Sequence, residues 1–138
     1  MDIESLTDTA LKKLWDAGFS TLDARDQLLV TIWGLEADVN NGGFDQYYGN
    51  SYGDQAKEAP RALRLVGANR MADLVETANA QFGHDGPSEN IDERQTRLEE
   101  IRQTAVAVWE PLEQEFWSYP DDISQLLRSH LENSSGAA

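Results

Sequence analysis

The chain has 138 residues, with 25 Asp+Glu against 11 Lys+Arg for a formal charge of −14, and no cysteine. That charge repels a phosphate backbone and an anionic lipid surface, which argues against direct nucleic-acid binding and a polybasic membrane anchor and for a cationic counterpart. Without cysteine there is no disulfide, thiol nucleophile or iron–sulfur cluster, and a chain of this length buries about 70% of its unfolded surface without a metal or disulfide.

Apolar residues recur at helical spacing along nearly the whole chain, and no strict alternation argues for a strand, so the fold class is all-α, one domain of about six to eight helices. Leu6, Leu11, Leu14 and Trp15 predict a first helix ended by Gly18. Thr21 is placed to cap a second, with Leu28, Leu29, Ile32, Trp33 and Leu35 as its apolar face and Asn40 to Gly43 as its stop. Phe44, Tyr47, Tyr48 and Ser51 share one face of a third helix ending near Gly53. A fourth is expected from Asp54 to Val66, with Pro60 in its first turns or dividing it. Met71, Leu74, Val75, Ala78 and Phe82 mark a fifth, stopped by Gly83 to Pro87. Ser88 or Asn90 then caps a helix with Leu98, Ile101, Ala105 and Trp109 facing the core, which Pro111 is expected to kink or restart before Phe116. After a turn at Ser118 to Asp121, Ile123, Leu126, Leu127 and Leu131 make the last helix. The acidic helical domain is taken as residues 1–132, with 133–138 a disordered tail.

Met1-Asp2-Ile3-Glu4 carries acid where a signal peptide carries base, and the uncharged run Gln27 to Leu35 is too short to span a bilayer, so a cytoplasmic location is expected. His84 and His130 stand alone, without partners at metal-ligand spacing, so neither a metal nor a cofactor is expected. Nucleophile elbow, phosphate loop and dinucleotide fingerprint are all missing, and the acidic stretch from Asp38 fails as a calcium loop because Gly42 and Gly49 fall at ligand positions. The expectation is a protein that is not an enzyme.

The densest local signal runs from Asn40 to Gly53. Asn41, Gly42, Gly43, Phe44, Gln46, Tyr47 and Asn50 read as a structural motif: turn residues, left-handed glycines and core aromatics. Alternatively, Gln46 and Asn50, an i, i+4 amide pair, line a small-ligand pocket beside Tyr47 and Tyr52. The string Asn41-Gly42-Gly43-Phe44-Asp45-Gln46-Tyr47-Tyr48-Gly49-Asn50-Ser51-Tyr52-Gly53 resembles the signature of a bacterial family of small acidic helical domains, formerly a domain of unknown function and otherwise named after a DNA mimic protein. The resemblance continues through Ala62 to Ala68 and Leu112 to Trp117. It implies an all-α fold, no known catalytic activity, and at least one member that presents carboxylates to the DNA-binding surface of a transcription factor.

Three long windows lack Lys and Arg: Asp26 to Ala56, Met71 to Glu93, and Gln103 to Leu127. The preferred surface for a basic partner is Glu110, Glu113, Glu115, Asp121 and Asp122, joined by Asp73 and Glu76. Carboxylates at i, i+3 on a helix are about 5–6 Å apart at Cβ and can meet a basic groove. Lys57, Arg61 and Arg64 form a basic stripe that suits internal pairing or a second subunit, as in a homodimer. The acid also fits a salt-adapted proteome with no mimicry.

Overall fold

The structure, a computed structural model, describes residues 1–136. Six α-helices occur among them and no strand: α1 (Ile3–Ala17), α2 (Ala24–Gly49), α3 (Ala59–Leu65), α4 (Asn69–Asn79), α5 (Ile91–Trp117) and α6 (Ile123–Gly136). The two long helices, α2 and α5, pack along each other as the axis of the fold, with α1 laid on α2 and α3 on α4. Between them lies one apolar core that includes Leu35, Phe44, Tyr48, Leu63, Met71, Trp109 and Phe116. A satellite cluster of Ala10, Leu22 and Val30 holds α1 down. No described helix is long and apolar enough to cross a membrane.

Most predicted helices are present, and the differences have local causes. Asp23, not Thr21, caps α2: its Oδ1 accepts the Asp26 N–H at 2.8 Å, while the Thr21 hydroxyl donates to the Gly18 carbonyl within a short 3₁₀ turn. The expected stop at Asn40 to Gly43 is only two residues deep. Gly42 and Gly43 alone leave helical geometry, and the chain re-enters the helix at once. Gly43 has φ +74°, and a Cβ there would run into the Glu113 carboxylate, so both backbone and space demand glycine. The segment from Phe44 then ends at Gly49, not Gly53, because Ser51–Gln55 tightens into a 3₁₀ turn.

The fourth helix is also shorter than expected. It begins at Ala59 with Pro60 just inside, where a missing N–H costs nothing. The fifth helix ends at Asn79, and Ala80–Phe82 continues it as a 3₁₀ turn. Asn90 caps α5 by accepting the Glu93 N–H at 3.0 Å, and Ser88 supports it by accepting the Asn90 N–H at 3.1 Å. The expected interruption at Pro111 does not occur, and α5 runs on to Trp117. Pro111 and Ala107, one turn earlier, are both exposed, so water can satisfy the carbonyl that the proline leaves without a donor. α6 extends to Gly136, past the expected boundary at 132, and residues 137–138 of the expected tail lie outside the described residues.

Trp15 and Trp33, read as helix-face residues, are 61% and 43% exposed. Their rings flank Tyr52, with centroids 5.7 and 5.5 Å from it.

Candidate interaction surface

The Asn41 to Gly53 segment is organised by an arginine from a distant helix. Arg94 is fully buried on α5. Its Nε donates to the Tyr48 carbonyl at 2.7 Å, Nη1 to Ser88 at 2.8 Å and Nη2 to Asn50 at 2.8 Å. The Asp54 carboxylate lies 2.9 Å from Nη2 and balances the charge. A planar fork with fixed donors suits two carbonyls at the end of α2, where the backbone dipole also favours a cation, and a third from the loop before α5. Gly53 completes the turn because a Cβ there would strike the Tyr47 carbonyl oxygen.

Most polar side chains of the motif are engaged within the fold, whereas the buried Tyr47 hydroxyl has no hydrogen-bond partner among the described residues. Gln46 and Asn50 both donate to Asp38 Oδ1, at 3.0 and 3.2 Å, and Asn41 donates to Gln46 Oε1 at 2.9 Å. Tyr48 donates to Asn79 Oδ1 at 2.6 Å, and Asn79 donates to the Ala56 carbonyl at 2.8 Å. Burial raises the Tyr47 and Tyr48 phenols well above their ordinary range, so both stay neutral. The amide pair read as a pocket lining thus knits α2 to itself.

The carboxylates singled out from the sequence divide by what they touch. Asp73 and Glu76 both lie against Arg64, at 2.8 and 2.6 Å. Glu115 grips the Arg70 guanidinium with both oxygens, and that cation holds its carboxyl below the usual range. Asp121 accepts the Met71 N–H at 2.8 Å at the start of α4, and Asp122 accepts the Gln125 N–H at 3.1 Å at the start of α6. Glu113 accepts the Phe44 N–H at 2.8 Å, capping the restarted half of α2 from another helix. Burial pushes its carboxyl up, and the Phe44 bond offsets part of that rise. Glu110 is exposed and, among the described residues, meets no cation. Arg70 lies in the field of Glu115, Asp73 and Asp121, so the fold brings those three acids together around a base. The basic stripe is used internally as well: Arg61 pairs with Glu58 and Arg64 with α4.

A second arrangement of acid, of which that selection held only Glu110, lies along α5. At 100° per residue, positions 92, 99 and 110 return to one line on the helix, and Asp92, Glu99 and Glu110 are all exposed. No ion pair involves any of the three among the described residues. From the first to the last the helix advances by 18 steps, about 27 Å at 1.5 Å rise per residue. Glu93 and Glu100 flank the line, Glu100 being paired with Arg97 at 2.8 Å. Arg94, Arg97 and Arg102 break the sequence here and hide the row from any search for base-free windows. Yet Arg94 points into the core and Arg102 turns sideways to Asp45 at 3.1 Å. The signal lay in the helical phase of the acids.

Fold and surface together define an acidic all-α protein that spends most of its bases on internal pairs and leaves unpaired carboxylates along its longest helix. The chain belongs to the DMP19-like protein family, whose profile matches residues 20–134. No curated protein and no solved structure matches it.

Proposed function

We propose that this chain is a DNA mimic, a non-enzymatic protein that lays the outer face of α5 in the DNA-binding groove of a basic partner such as a transcription factor. The observation that carries the reading is the row Asp92, Glu99 and Glu110, three exposed carboxylates on one line that form no ion pair among the described residues. Membership of the DMP19-like family supports it. A DNA-binding protein typically neutralises about 6–10 phosphates, so a helix face of roughly 27 Å with a few flanking acids competes for part of such a site, not all of it.

This reading moves the contact surface away from Glu113, Glu115, Asp121, Asp73 and Glu76, which are held by backbone amides or arginines, and keeps Glu110. The test is displacement. Immobilised chain should capture a DNA-binding protein from a heparin-bound protein fraction, and a duplex carrying that protein's own site should release it. Capture that survives a saturating duplex would refute a shared surface.

A further inference from the structure

Between α1, α2 and the start of α6 lies a groove of about 580 Å³ that the α5 row does not touch. Its floor is apolar, made by Ile3, Leu29, Ile32, Ile123 and Leu127, and one wall is Trp33, 43% exposed. Four carboxylates surround this floor. Glu4 and Asp8, one turn apart on α1, are exposed and meet no cation among the described residues. Glu36 is half-buried and accepts the Tyr119 hydroxyl at 2.8 Å, and Asp122 stands at the start of α6. The single base in the lining, Arg128, is turned to the Met1 carbonyl at 3.0 Å and towards Glu132 at 3.8 Å.

These features select an occupant by elimination. A purely apolar group would strip water from the carboxylates without replacing it, and Glu36 already carries a burial penalty that raises its carboxyl. A small hydrated cation would leave the floor and Trp33 in water. Lysine and arginine do neither: their stems cover apolar surface while the head stays among carboxylates, and a guanidinium also stacks on an indole ring. We propose that this groove docks a short amphipathic basic segment of a partner protein, with aliphatic side chains on the Ile32–Ile123 floor and a Lys or Arg head between Trp33 and the acidic rim. Apolar anchor and charged rim together make the usual anatomy of a helix-in-groove contact. The groove stands independently of the α5 reading, and different variants test the two.

The probe is a fluorescein-labelled 14-residue helical peptide with Leu on one face and Arg on the other, against a matched peptide with each Leu replaced by Ser. Fluorescence anisotropy should show the amphipathic peptide binding at least tenfold more tightly than the polar one. Trp33→Ala should weaken it by tenfold or more, the exposed pair Glu4→Lys/Asp8→Lys should abolish it with the helical circular dichroism intact, and Asp92→Lys/Glu99→Lys/Glu110→Lys should leave it unchanged. Equal binding of the two peptides would reduce the effect to bulk charge and overturn the proposal. So would peptide binding that is indifferent to Glu4→Lys/Asp8→Lys. A wild-type dimer in sedimentation that excludes the peptide and is dispersed by Trp33→Ala would assign the groove to a second copy of the chain instead.

Discussion

Arg94 is a charged side chain with no exposure, and its burial is tolerable because three carbonyls and Asp54 replace the water it gave up. Arg94→Met should therefore cost about 3 kcal/mol or more in urea unfolding, at about 1–3 kcal/mol for each carbonyl left without its donor, and Arg94→Lys should not restore it because one ammonium cannot span the three carbonyls. A loss below 1 kcal/mol would mean the segment is held by its aromatics alone. Gly43 makes a similar case from the backbone side. Gly43→Ala should cost roughly 1–3 kcal/mol for the left-handed geometry, and Glu113→Ala about 1 kcal/mol for the lost cap on Phe44. Because the two residues meet, their double variant should lose less than the sum. Glu36 adds a pH signature. Burial raises its carboxyl above 4.5, so its contribution to stability is intact below that value and is lost as pH rises through the raised one. Glu36→Gln should thus match the wild type near pH 4 and exceed it in melting temperature at pH 7; a difference that shrinks with rising pH would contradict the assignment.

Elements were legible wherever the signal was periodic. The 3.6-residue repeat of Leu98, Ile101, Ala105 and Trp109 is carried by contiguous chain, so α5 could be read directly from it. The joint inside α2 was harder, because Gly42-Gly43 reads as a loop, whereas the Glu113 carboxylate, 69 residues beyond the Phe44 N–H that it accepts, turns it into a two-residue kink. The acidic surface was legible only in part, for the same reason. Windows free of Lys and Arg along the chain say nothing about bases arriving from elsewhere, and Arg64 and Arg70 fold onto Asp73, Glu76 and Glu115. Conversely, Arg94 inside a run of acids withdraws from the surface altogether. Charge has to be counted by helix face. At this scale the account predicts that Asp92→Lys/Glu99→Lys/Glu110→Lys abolishes partner capture while Asp73→Asn/Glu76→Gln leaves it within twofold. The opposite pattern, read by the same capture assay, would return the contact to α4.

For the whole molecule, every base except Lys12 and Lys57 takes part in an ion pair among the described residues, so the excess of −14 rests on carboxylates outside such pairs. Self-repulsion of that size is screened over about 10 Å at 0.1 M salt. The melting temperature should accordingly climb by a few degrees between low salt and about 0.2 M, where the Debye length has already shortened below most charge separations, and then flatten. A climb that continues into molar salt would favour a salt-adapted protein with no mimicry. The most direct test of the central claim is competition between this chain and DNA for one partner, followed by anisotropy of a labelled duplex carrying the partner's site. Wild-type chain should release the duplex in a salt-dependent manner, and the Asp92→Lys/Glu99→Lys/Glu110→Lys variant should release none. A ternary complex of chain, partner and duplex, or release undiminished in that variant, would contradict it.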